Sequence, residues 1–115
     1  MKWTSYTKGL VAEYLAGLFL LFKGYIPQER RYKTPWGEID LIVKRGKTVV
    51  FVEVKKRKYL NAGLDAITAK QRNRIEKAGQ AYLSSVNIDF NTVRFDVVIA
   101  TPKGLYHLKD AWRTV

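Results

Sequence analysis

The chain has 115 residues and no cysteine, and its 21 lysines and arginines outnumber 10 aspartates and glutamates to leave a formal net charge of +11. That length suits a single domain, 1–115; the lack of cysteine excludes disulfides and thiolate metal centres, and a lone histidine argues against imidazole-based catalysis. The excess of positive charge favours a polyanionic partner, either nucleic acid or an anionic membrane surface, while no signal peptide is evident and the apolar stretch from Tyr14 to Phe22 is too short to span a bilayer, so a cytoplasmic protein is the default expectation.

From the N-terminus, Leu10, Val11, Tyr14, Leu15, Leu18, Phe19, Leu21 and Phe22 predict a helix from about Ser5 to Lys23, apolar on more than one face and so buried over much of its surface. Gly24 is a natural stop. Within this helix stands Glu13, whose helical neighbours Gly9, Leu10, Ala16 and Gly17 are mostly small and allow another element to approach closely. Burying a lone carboxylate is expensive, so Glu13 either joins a functional site or sits at the helix edge, solvated or paired with a basic neighbour.

Tyr25-Ile26 with Glu29 to Lys33 reads as a first strand, ending near Thr34-Pro35-Trp36-Gly37. The next two runs, Gly37 to Val43 and Val49 to Lys55, are rich in β-branched residues and flank Lys44-Arg45-Gly46-Lys47, whose glycine marks a hairpin turn. Acidic residues, scarce elsewhere, lie inside these strands, where packing tolerates them least. Side chains alternate along a strand, so Glu53 and Lys55 share a face. A turn of two or four residues places Asp40 opposite Phe51 and Glu38 opposite Glu53, and gathers Glu38, Asp40, Glu53 and Lys55 on one face; a three-residue turn sends Asp40 to the other.

In the converging register Asp40 and Glu53 are diagonal neighbours, their backbones roughly 7–8 Å apart, and one divalent ion can bridge them. Paired carboxylates repel unless a proton or a cation intervenes, and oxygen ligands suit Mg2+ or Mn2+. The Val54 carbonyl is a further candidate ligand. Lys55 is placed to position or deprotonate a water, or to offset charge building on a phosphate. The plainer alternative is a solvated sheet face on which Glu53 pairs with Lys55 or Lys56.

Lys56 to Gly63 reads as a basic loop that opens with Lys56, Arg57 and Lys58. A second helix is expected from Ala66 or Thr68 to Val86, with Ile75, Ala78, Tyr82, Leu83 and Val86 on its apolar stripe. Thr68-Ala69-Lys70-Gln71 has the form of a capping box, in which Gln71 bonds back to the Thr68 backbone; alternatively Lys70 and Gln71 face a scissile phosphate. Arg72 and Arg74 add candidate phosphate contacts, although a charge run also suits a solvated face. Trp36, Tyr59 and Arg57 are candidates for contacts to bases or backbone, with Trp36 equally suited to covering the hairpin. Strands from Val93 to Ala100 and from Gly104 to Lys109 complete the order αβββαββ, and His107 in the last of them reads as structural. The expected class is α/β, a mixed β-sheet flanked by helices.

Together these residues resemble the PD-(D/E)xK nuclease superfamily, and within it the small bacterial YraN-like family related to archaeal Holliday-junction resolvases. The resemblance rests on Gly9 to Ala16 with its Ala12-Glu13 pair, Gly37-Glu38-Ile39-Asp40-Leu41-Ile42, Phe51-Val52-Glu53-Val54-Lys55 with Arg57, Ala66-Ile67 with Lys70, and Arg94-Phe95-Asp96-Val97. Ile39 stands where the superfamily's name has its proline. The resemblance implies a restriction-endonuclease-like core and an Mg2+-dependent phosphodiesterase site in which Asp40 and Glu53 bind metal, Glu13 assists, and Lys55 serves the nucleophilic water or the transition state. The function expected is a metal-dependent DNA endonuclease acting on branched or damaged DNA, as a symmetric homodimer. The alternative is a non-catalytic nucleic-acid-binding module of a DNA- or RNA-processing assembly, and a third class is a structural protein whose charge meets an acidic partner.

Overall fold

A computed structural model describes residues 4–61 and 67–113. Its elements are α1 (Ser5–Phe22), β1 (Ile26–Thr34), β2 (Gly37–Arg45), β3 (Thr48–Lys56), α2 (Ala69–Ser85), β4 (Thr92–Thr101) and β5 (Gly104–Trp112), in the order expected from the sequence. The expected end of the basic loop at Gly63 and the alternative helix start at Ala66 lie outside the described residues.

Both helices begin at a threonine cap, and α1 ends at a glycine. The Thr4 hydroxyl accepts from the Thr7 amide to cap α1. At its far end Gly24, at φ 89, lets the Tyr25 amide return to the Leu20 carbonyl and the Gly24 amide to the Leu21 carbonyl, closing a Schellman motif. Thr68 caps α2 in a full capping box with Gln71, so the capping role foreseen for Gln71 is the one it plays.

The five strands form one sheet in sequence order. All neighbours are antiparallel except β3 and β4, which run parallel because α2 carries the chain across the sheet between them. Ala16 and Leu20 of α1 pack on Leu41, Val43, Val50 and Val52. On the opposite face Ile75, Ala78 and Tyr82 of α2 pack on Ile42, Val49, Phe51 and Phe95. The central strands are thus apolar on both faces, which explains their unbroken hydrophobic runs. Gly79 lets α2 settle so closely that a Cβ there would stand 2.8 Å from the Phe51 ring.

Three expectations are revised. Burial of α1 is confined to Ala12, Glu13, Ala16 and Leu20, while Tyr14, Leu15, Leu18, Leu21 and Phe22 are exposed, because the sheet covers only one side of the helix. The hairpin turns at Gly46-Lys47, so Ile42 rather than Asp40 faces Phe51. Gly46 has φ 60 and Lys47 an ordinary negative φ, the pattern of a type II′ turn in which only the glycine needs positive φ. Finally, β5 runs past Lys109 to Trp112: a bulge at Asp110, at φ 54, restores pairing with β4 and stacks Trp112 on Phe95 with centroids 5.1 Å apart. Among the described residues no helix is long and apolar enough to cross a membrane.

Candidate functional site

The β2–β3 ladder runs from Arg45–Thr48 to Leu41–Val52. One residue further the strands part, and the Val54 amide donates at 2.8 Å to the Asp40 carboxylate instead of to a β2 carbonyl. The parting has a cause in β1. Arg30 and its partner Leu41 face α1, whereas Tyr32 and its partner Ile39 belong to the core beneath α2. The alternation is therefore broken at Arg31, which takes φ 53, and at Asp40 beside it. Asp40 occupies the resulting fork.

The register lies two residues from the one expected, which preserves the faces of the paired residues from Leu41 to Arg45, and Asp40, outside the ladder at the fork, lies beside Glu53. Glu53 is largely buried, and burial together with the charge and hydrogen bonding of Asp40 pushes its carboxyl up to about 9, against the lowering pull of Lys55. The Lys55 ammonium lies 3.7 Å from the Glu53 carboxylate. Glu38, which the expected register set against Glu53, is exposed and instead lies 3.8 Å from Arg31.

Glu13 is buried on α1 and is neither at a solvated edge nor alone. Arg31 donates to it at 2.9 Å and reaches the Tyr6 hydroxyl at 3.3 Å. Burial, then the Asp40 charge, raise the Glu13 carboxyl above its usual range, and Arg31 restrains the rise. Glu13 thus lies within the field of the Asp40 charge. Arg31 escaped the sequence reading, since its role depends on a backbone kink that no residue type announces.

Among the described residues no three His, Asp or Glu side chains stand close enough to hold an ion between them. The donor set of Asp40 and Glu53 nevertheless fits a hard divalent ion, because Mg2+ keeps several waters and is commonly held by one or two carboxylates together with substrate oxygens. A pair that retains a proton at neutral pH is also a pair short of positive charge.

The basic residues separate into groups. Lys70, Arg74 and Lys77 of α2 line a hollow of about 530 Å³ beside the β1–β2 turn, where the Lys77 ammonium sits 5.4 Å from the Trp36 ring centre. No described hydrogen bond or ion pair ties Lys70 to Asp40 or Glu53, and Lys70 is exposed. Arg72 lies on the other flank of α2 with its guanidinium 5.7 Å from the Trp112 ring centre, apart from Lys70 and Arg74. Helical spacing carried that signal: 70, 74 and 77 share a face that 72 does not. Lys56, Arg57 and Lys58 follow β3 out of the sheet toward α1 and the β4–β5 turn. Tyr59 is exposed.

A second polar cluster has Asp96 at its centre, fully buried on β4. Arg94 grips both its oxygens at 2.8 Å, His107 donates through Nε2 at 2.6 Å, and the Asp110 amide donates at 2.9 Å. Lys23 donates to His107 Nδ1, and Arg94 also reaches the Tyr25 hydroxyl. Burial alone would raise the Asp96 carboxyl, but these donors bring it down to about 2. The cluster ties α1, β4 and β5 together and satisfies His107 in the structural role expected of it.

Fold and site define a small mixed α/β domain whose central strands fork around an acidic pair and a lysine. The chain belongs to the family described as "Uncharacterised protein family UPF0102", whose model matches residues 12–100, a span that contains Glu13, Asp40, Glu53 and Lys55. It is 46% identical to a UPF0102 protein of Methylorubrum extorquens (strain PA1) over 97 residues, 84% of this chain and 76% of that protein. A UPF0102 protein of Parvibaculum lavamentivorans is 44% identical over 114 residues, covering 95% and 84% of the two chains. One of Nitrobacter winogradskyi is 39% identical over 115 residues, covering 97% of each.

Proposed function

We propose that the protein is a metal-dependent endonuclease of the PD-(D/E)xK superfamily that hydrolyses phosphodiester bonds in DNA, with branched or damaged DNA as its substrate. The observation that carries this reading is the meeting of Asp40, Glu53 and Lys55 at the fork between β2 and β3.

Asp40 and Glu53 would hold Mg2+ or Mn2+, with the Val54 carbonyl beside them and Glu13 acting from α1 directly or through a water. When bound, the ion supplies a Lewis acid for the phosphate and a water of lowered pKa. The main chain fixes Asp40 through the Val54 amide, so its carboxylate is oriented before any ligand arrives. Lys55 faces the pair and is suited to hold the attacking water in line or to balance charge on the phosphate. Lys70 and Arg74 of α2 would grip the backbone with little base specificity.

The test is Mg2+- and Mn2+-dependent cleavage of labelled single-stranded, duplex, flap and four-way-junction DNA by the wild type, Asp40→Ala and Glu53→Ala. Cutting by the wild type that both folded variants lose, with one DNA form preferred, is expected. Binding without cutting under either metal would leave a nucleic-acid-binding module and exclude an autonomous nuclease.

A further inference from the structure

We infer that the hollow between α1 and the β4–β5 turn is a docking site for an acidic peptide that carries apolar side chains. The hollow has a volume of about 770 Å³, within the range of built ligand pockets. Its floor is aliphatic, supplied by Val11 and Leu15 of α1 with Pro102 and Leu105 of the turn and β5. Its rim is cationic, formed by Lys8, Lys56, Arg57, Lys58 and Lys103. Among the described residues no carboxylate lines it, and none of these lysines is paired with one.

The two features call for a partner that is anionic at its edges and apolar at its centre. A nucleic-acid strand meets only the first, since the described lining offers its bases aliphatic side chains, and the exposed Tyr59 and Tyr106 stand in the adjoining hollow beyond Lys58 and Lys103. An acidic peptide meets both: its carboxylates find the lysine rim and its aliphatic side chains the floor. The apolar track also continues beyond the hollow. Leu18 and Phe22 follow Leu15 at helical spacing and are 42% and 92% exposed, so an extended or helical segment has more surface to cover than the hollow alone. Lys8 and Lys103 belong to this hollow and not to the Asp40–Glu53 fork, so the site can be altered without touching the proposed chemistry.

The experiment is fluorescence anisotropy of a fluorescein-labelled peptide of aspartates interleaved with leucines, against the full chain at physiological salt. Saturable binding is expected, weakened about tenfold or more by Lys103→Glu and by Leu15→Ser, both at exposed positions, and unchanged by Lys109→Glu on the far part of β5. Circular dichroism of each variant reports its fold. Equal weakening by Lys109→Glu would reduce the effect to general charge, and equal binding of a peptide with serines for leucines would remove the role of the floor; either overturns the proposal. It is also overturned if oligothymidylate binds in a manner lost in Lys103→Glu and Leu15→Ser while the peptide does not bind. A dimer seen by light scattering, dissociated by Leu15→Ser and indifferent to peptide, would give the surface to a second copy instead.

Discussion

An aspartate that accepts a main-chain amide where its strand has ceased to pair does for the sheet what a carbonyl would have done, and it is held still in the process. At Asp40 this fixes one carboxylate beside a second, Glu53, whose carboxyl rises from 4.5 to about 9. Without a cation, the folded state keeps on Glu53 a proton that the unfolded chain releases, so stability should fall as pH rises from about 4.5 to about 9. Glu53→Gln should flatten that slope in thermal melts taken in chelator; an unchanged slope would mean that the pair does not share a proton. Asp96 has the opposite sign. Its carboxyl lies at about 2 against 3.8 in the unfolded chain, so it contributes stability above pH 3.8, lost as pH falls toward 2. The shift corresponds to about 2 kcal/mol. Asp96→Asn leaves the half-buried Arg94 against a neutral partner and should cost about 2–3 kcal/mol in urea unfolding at pH 7. A loss below ~1 kcal/mol would show the cluster to be solvated. Asp40, Glu53 and Glu13 stood out in the sequence because carboxylates are costly in apolar runs, and Lys55 because it shares a strand face with Glu53. Arg31 did not, because an arginine in a strand is ordinary until its φ is known.

At the scale of elements, periodicity and caps marked all seven segments, and the hairpin shows how such a reading survives an error. The sequence suggested a turn that included Arg45; the chain turns one residue later, at Gly46-Lys47, and the register moves by two. A shift of two preserves the face of every paired residue from Leu41 to Arg45, and Asp40 meets Glu53 at the fork, where the alternation is broken. The exposed side of α1 was not legible, since an apolar stripe records that something apolar is wanted there and not whether this chain supplies it. Nor was the length of β5, which depends on a bulge at Asp110. The contact between α2 and β3 has a direct test. Gly79→Ala places a methyl against the buried Phe51 ring, and overpacking of about 1–3 kcal/mol should outweigh a gain in helix propensity of up to about 1 kcal/mol. A net loss near 1–2 kcal/mol is expected from denaturant titration; a stabilised variant would show that the ring yields freely.

At the scale of the molecule, the net charge of +11 was readable at once, whereas its arrangement needed the fold. Two basic surfaces emerge. One carries Lys70, Arg74 and Lys77 beside Trp36, and the other surrounds the aliphatic hollow next to α1. Under the proposed reading the first contacts DNA phosphates. Lys70→Ala and Arg74→Ala should then each lower the slope of log affinity against log salt by about 1. Arg72→Ala should change it less, since that guanidinium lies against Trp112. Equal effects from all three would place the DNA across both flanks of α2.

The most direct measurement is titration of the folded protein with Mn2+, read by electron paramagnetic resonance, for the wild type, Asp40→Asn and Glu53→Gln. If the fork between β2 and β3 is a divalent-cation centre, the wild type binds Mn2+ saturably and both variants lose that binding while keeping their fold. Saturable binding of undiminished strength in both variants, or none in the wild type with or without DNA, would contradict it.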